Sequence, residues 1–428
     1  MTPFPLALEA FHIQRSRFGR LTQALVIVLA LMSISAARAA TITWDGGGGD
    51  GNWLTAANWS GNTLPGAADD VLITVPAASN IVVQTGTIRI RNLQCSGGLV
   101  FTGGDLTVTT GNSSIQGSLQ LNSGRLAVQG AGATLTATGA TTHGGLALAA
   151  LSGGRINLPN LIAATRTNIG SISFTSDGAG SVLDLSSLTS ATVVDYYLLQ
   201  LYATAGGEVR APALTNVAGA LGAYSDGSNS VVNLTGMTGR LRNPAPGGAS
   251  LEARNGGLIQ IPYVTSMDRL DVIVRGTGQI PLAQLTTFQN GSLLLTGNTN
   301  AWPGWTNVFA SDITLAGGAQ LTLAGVARLD KTNTGHLLLS ASDPGATLNL
   351  PNVTAASVAD YYLLELLTYN GGRISLPRLA TISGAIYGYS DGNGSLVDLP
   401  AFQGHFSNPA PGQASLEARN GGTVQIPN

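Results

Sequence analysis

Six acidic residues stand in two matched sets: Asp195, Asp226 and Glu252, then Asp360, Asp391 and Glu417, each pair separated by one offset (360 − 195 = 165). Paired carboxylates about 5–9.5 Å apart are the equipment of a glycoside hydrolase. Clustered carboxylates holding calcium, with an Arg or Lys as base, are that of a polysaccharide lyase. Yet acids that recur at a fixed offset point to service in a repeated unit of the fold. Asp226, in Tyr224-Ser225-Asp226-Gly227, is a normal turn former. Glu252 and Arg254 lie two apart, so on a strand they share a face and can pair with neighbouring strands. The acids therefore read as structural and the chain as non-catalytic, with a carbohydrate-binding or polysaccharide-degrading protein as the alternative. An acidic cluster or aromatic groove along one flank would favour that alternative; a plain Ser/Thr/Asn surface would favour the first reading.

The remaining reactive side chains are sparse. His12, His143, His336 and His405 are scattered with no metal-ligand spacing, and each reads as a surface or turn residue. Neither a Gly-x-Ser-x-Gly elbow nor a phosphate-binding Gly-Lys-Ser/Thr occurs, and Lys331 is the single lysine. Cys95 is the single cysteine. It excludes an intrachain disulfide and reads as an inert, inward-facing thiol. No cofactor is called for, although Asp45, Asp50 and Asn52 could form a calcium loop. Calcium takes six to eight oxygens, and the four glycines Gly46 to Gly49 interrupt any alternation of ligands. Trp302-Pro303-Gly304-Trp305 could present Trp302 and Trp305 as a platform for stacking sugars, or could be a loop folded onto the molecule's flank.

What must position these residues is a repeat. Asp195-Tyr-Tyr-Leu-Leu returns as Asp360-Tyr-Tyr-Leu-Leu, and Ser250-Leu-Glu-Ala-Arg-Asn-Gly-Gly as Ser415-Leu-Glu-Ala-Arg-Asn-Gly-Gly, without insertion or deletion. A shorter beat, Gly-x-Ile/Val-x-Leu/Ile, runs inside each copy. Its second aliphatic falls at Leu158, Leu185, Ala211, Leu234 and Ile261, then at Leu323, Leu350, Leu376, Leu399 and Ile426, in steps of 27, 26, 23 and 27 both times. A period of this size marks a solenoid whose units stack on one another. Short segments alternating apolar and polar residues between Gly-rich turns argue for strands. The fold class expected is all-β: a parallel β-helix with 23–27-residue turns, at least two strands per turn, and those ten aliphatics pointing inward. A leucine-rich-repeat horseshoe is the rival, but the helix or compact turn of its convex side finds no counterpart. About 25 residues per turn gives roughly 14 turns and a rod of about 65 Å at strand spacing.

Charged residues make up only 10% of the chain and glycine is plentiful. After residue 40 no apolar run approaches the ~18 residues of a spanning helix. Arg15, Arg17 and Arg20 precede the apolar run Ala24 to Ser35, and Ala37-Arg38-Ala39 supplies a small-x-small cleavage pattern. This is the layout of an export signal. Removing residues 1–39 takes away four arginines and Glu9, leaving 20 − 4 = 16 basic and 22 − 1 = 21 acidic residues. Mild acidity argues against nucleic acid as a partner. The chain divides into a signal segment over 1–39, a Trp/Gly-rich cap over 40–75 and β-helix with shorter turns over 76–152. The first copy (153–262), a linking β-helix segment (263–317) and the second copy (318–428) follow.

The opening segment, with Trp44, Trp53, Asn58-Trp59, Pro65-Gly66 and Asp69-Asp70-Val71, resembles the N-terminal segment of large, repeat-rich secreted bacterial surface proteins of the autotransporter-like and adhesin-like kind. The likeness covers some 35 residues. It implies an exported protein at the cell surface or outside the cell, a stalk or adhesin-like body whose partners would be extracellular glycans or another surface. Physically, three tryptophans ahead of the first strand suit a lid over the first coil. At the other end, Val424-Gln-Ile-Pro-Asn428 stops within a turn. An uncovered apolar cross-section there leads to the expectation of a truncated product or of self-association through that end.

Overall fold

The computed structural model describes residues 39–194, 196–244, 248–297, 299–301, 304–403 and 414–427. Residues 1–38, His12 among them, and Asp195, Trp302 and His405 lie outside them. From Ile42 onward the chain forms one unit. It is a parallel β-solenoid of about 15 turns of about 23 residues, with strand over half its length. Each turn of the duplicated region has three faces. On the first lie Arg155–Asn157, Val182–Asp184, Glu208–Arg210, Val231–Asn233 and Leu258–Gln260. The second carries Ala163–Arg166, Ser190–Val193 and Asn216–Ala218. The third carries Ile172–Asp177, Leu198–Thr204, Ala220–Asp226 and Ser250–Arg254. The described helices are two single 3-10 turns in the cap, so the horseshoe rival falls.

Parallel in-register pairing stacks like positions. Ile156, Leu183, Val209, Val232 and Ile259 form one inward column. Leu158, Leu185, Ala211, Leu234 and Ile261 form the next and are fully buried, as are Leu323, Leu350, Leu376 and Leu399. Their amides carry the ladder around the corner: Leu158 N donates to Asp184 O, Leu185 N to Arg210 O and Leu234 N to Gln260 O. At the last coil Ile426 is 40% exposed, where its counterpart Ile261 is buried under the next turn. Coil length varies along the rod. Eighteen residues separate the paired Ile88 and Leu106, 27 separate Ile172 and Leu199, and 21 separate Val272 and Leu293.

The Gly-Gly beat has a steric cause at the corner from third face to first. In Asn255-Gly256-Gly257, Asn255 (φ +49°) and Gly256 (φ +87°) are left-handed in succession. A Cβ on Gly257 would fall 2.3 Å from the Ser225 carbonyl oxygen of the coil beneath, a contact no side chain survives. Low charge has a cause too. Side chains in one outward column stand about 4.8 Å apart, so a run of like charges would repel along the whole rod. Uncharged donors and acceptors pair instead, as in Thr134 with Asn112 (2.9 Å) and Ser114 with Gln94 (2.6 Å), and the charged Asp271 takes a neutral partner in Ser292 (2.6 Å).

The cap is a tryptophan lid. Trp59 lies edge-on between Trp44 and Trp53, with ring centroids at 4.8 and 4.9 Å, and all three join the core cluster. Trp59 Nε1 donates to the Trp53 carbonyl (2.7 Å). Cys95 is buried and its thiol is pushed up to about 11 by desolvation, an inert state.

Candidate functional site

On the third face, side chains alternate inward and outward, so every second residue of each strand builds an outer column. One column runs Tyr202, Tyr224, Glu252 and Ile273; its neighbour runs Thr204, Asp226, Arg254 and Arg275. The same arrangement returns in the second copy as Leu367, Tyr389 and Glu417 beside Tyr369, Asp391 and Arg419. Asp226 accepts hydrogen bonds from Tyr224 Oη (2.8 Å) and Asn255 Nδ2 (2.8 Å), and Asp391 from Tyr389 Oη (3.2 Å) and Asn420 Nδ2 (2.6 Å). Bonds from Asn255 and Tyr224 hold the Asp226 carboxyl below its ordinary range. Glu252 accepts Arg254 Nε (2.6 Å) and has Arg275 Nε at 3.5 Å, while Glu417 accepts Arg419 Nη2 (2.9 Å). The guanidinium groups of Arg254 and Arg419 lie over the Tyr224 and Tyr389 rings at 5.6 and 5.7 Å. These four acids are thus bonded to residues of their own repeat unit, while Asp360 lies exposed in a turn.

The copies differ at several outward positions of this face: Gln200, Tyr202 and Thr204 become Glu365, Leu367 and Tyr369. Ala220-Leu-Gly222-Ala223-Tyr224 becomes Ala385-Ile-Tyr387-Gly388-Tyr389. Outward-facing Gly222 leaves a depression of about 220 Å³ lined by Leu198, Gln200, Tyr202, Tyr224, Ser250 and Glu252 among others. The Tyr202 and Tyr224 rings meet edge to face across it at 6.1 Å. In the second copy Tyr387 occupies the corresponding position and stacks on Tyr389 at 6.0 Å. Residue types alone do not flag this depression. Aligning the two copies would have found it, through the exchange of Gly and Tyr.

Two further exposed side chains recur at the same offset. Tyr196 and Tyr361 are 71% and 76% exposed with φ of +68° and +74°. Left-handed backbone is costly for a bulky residue.

The structure places the other sequence-selected residues as follows. Asp45 Oδ1 accepts Gly47 N (3.0 Å), and Asn52 Oδ1 accepts Leu54 N (3.0 Å). Asp50 accepts Thr55 Oγ1 (2.5 Å), Asn58 Nδ2 (2.7 Å) and Asn52 N (3.0 Å). These bonds, from Thr55 first, lower the Asp50 pKa. The three side chains therefore order the cap loop through its own donors. Trp305 is no platform: it is fully buried, tilted against Phe288 at 5.4 Å, and its Nε1 donates to Leu282 O (3.0 Å). Nothing in Trp-Pro-Gly-Trp distinguishes an exposed tryptophan from one whose N–H finds a carbonyl on the previous coil.

His143 likewise is not a surface residue. It is buried in the inward column between Leu121 and Ala164, edge-on to Phe174 at 5.2 Å. His336 Nδ1 accepts Leu363 N (3.1 Å) and is half exposed. Among the described residues no three His, Cys, Asp or Glu side chains gather as a metal site, and no helix is long and apolar enough to cross a membrane. Compared with family models, curated proteins and solved structures, the chain matches none.

Proposed function

We propose that this chain is an exported, non-catalytic β-solenoid rod of the cell surface or extracellular space, a stalk or adhesin-like body. The observation that carries the non-catalytic reading is the duplicated bonding of its acids. Asp226 and Asp391 are held by the same Tyr and Asn partners, and Glu252 and Glu417 by the same Arg. A general acid or nucleophile would be matched to one site and one substrate; here the pattern follows the repeat. Support for export comes from the basic, apolar and small-x-small order of residues 15–39. An outer surface of hydrogen-bonded Ser, Thr and Asn ladders over a continuous apolar interior suits a rigid spacer. Protease shaving of intact cells producing the full chain tests this. Its peptides should be released from the cell exterior, and the recovered protein should begin at Ala40. Retention inside the membrane with an intact residue 1–39 segment would refute export.

A further inference from the structure

From the depression at Gly222 we infer a binding site for a neutral saccharide, present in the first copy and filled in the second. Glycine inside a strand weakens it and has meaning where something approaches the backbone closely. At Gly222 the fold itself does not ask for glycine. Its φ is not left-handed, and a Cβ there would meet only the end of the Leu198 side chain at 3.3 Å and the Leu199 carbonyl at 3.9 Å. The contrast with Gly257, where a Cβ would strike backbone at 2.3 Å, separates a glycine required by the coil from one that is not. The second copy supplies an internal control. With the same scaffold at the same offset, Tyr387 stands where Gly222 does and stacks on the next ring. The solenoid accommodates a tyrosine at this position in the second copy, beside Gly388 where the first copy has Ala223 and Leu367 where it has Tyr202.

The lining selects the ligand. Tyr202 and Tyr224 line the depression as an edge-to-face pair, aromatic surface for the C–H side of a pyranose from groups with a polar end. Gln200 and Ser250 present an amide and a hydroxyl beside them, donors and acceptors suited to sugar hydroxyls. The one carboxylate of the lining, Glu252, is engaged by Arg254 and Arg275, and no Arg or Lys is among the lining residues, so a uronate or sialic acid finds no counter-charge on the wall of the depression. A few polar groups beside apolar surface is the usual make-up of a small-ligand site. This inference goes beyond the surface-rod reading and stands on purified protein wherever the chain is deployed.

Titration calorimetry on the mature chain with cellotetraose, maltotetraose, mannotetraose and chitotetraose tests it. One of the four should bind at a single site, with Kd on the order of 1 mM for an open depression. Gly222→Tyr, which installs the second copy's residue, should weaken that binding at least about tenfold, with thermal unfolding unchanged. Tyr202→Leu, again the second copy's own residue, should do the same and keeps the test valid if Gly222→Tyr does not fold. Absence of saturable heat for all four up to about 10 mM would overturn the inference, as would binding that both variants retain.

Discussion

Acidification should loosen the coil that contains His143, and the structure sets the size of the effect. His143 Nε2 lies 2.8 Å from the Leu146 carbonyl and Nδ1 lies 3.3 Å from the Gly145 amide nitrogen. A neutral ring with its proton on Nε2 satisfies both. A second proton would sit on Nδ1, facing the Gly145 N–H. Desolvation inside the coil, with Arg166 adding repulsion, lowers the pKa to about 4 from 6.5 despite the Leu146 bond. An unfolded coil thus takes up a proton below pH 6.5 while the folded one does not until about pH 4. Stability is whole above 6.5 and falls as pH drops through that window. At 1.36 kcal/mol per unit, the loss reaches about 2.5 kcal/mol by pH 4.5 and about 3 kcal/mol by pH 4. Because solenoids open coil by coil, the suitable assay is native-state hydrogen exchange. The opening free energy of amides in 141–151 would be compared with that of 292–296 at pH 7 and 4.5. His143→Leu, which cannot titrate, should abolish the difference. A ring signal titrating near pH 6.5, or equal pH dependence in His143→Leu, would refute the reasoning.

Three more outcomes follow from named contacts. Trp59→Ala should remove the ring that joins Trp44 and Trp53, costing about 3–5 kcal/mol locally. Exchange should then accelerate in 70–95 before it does in the second copy. Tyr361→Gly should relieve a left-handed tyrosine that is 76% exposed. With about 1–2 kcal/mol of strain set against about 0.5–1 kcal/mol of glycine entropy, the melting temperature should hold or rise; a fall would mean that the ring packs in solution. Replacing EDTA by millimolar calcium should shift the melting temperature by less than about 1 °C, because Asp50 is already engaged by Thr55, Asn58 and Asn52. A larger rise would reinstate the calcium loop.

Much of the fold was legible because stacking forces one residue type onto one position. The aliphatics from Leu158 to Leu399 repeat since each lies over its counterpart, and the Gly-Gly corners repeat since a Cβ there meets the coil beneath. The second face was harder to read. A strand such as Asn216–Ala218 is too short to display alternation. Partners one turn away were not legible at all. Trp305 is buried by Leu282 and Phe288, and His143 by Phe174, through register that local sequence does not carry. At the candidate site the tyrosines and acids were visible as repeated motifs. What opens the depression in the first copy is a missing side chain at Gly222, which shows in the sequence only when the two copies are aligned.

The central claim, a rod that holds rather than cleaves, meets its most direct test in a turnover measurement. Mature chain would be incubated with pectin, alginate, chondroitin sulfate and cellulose, with and without calcium, and assayed for new reducing ends and unsaturated uronate. The account predicts no product above the protein-free blank, since Asp226, Asp391, Glu252 and Glu417 are each bonded within the repeat. Product that forms with the wild-type chain and disappears in Asp226→Asn or Glu252→Gln would contradict it.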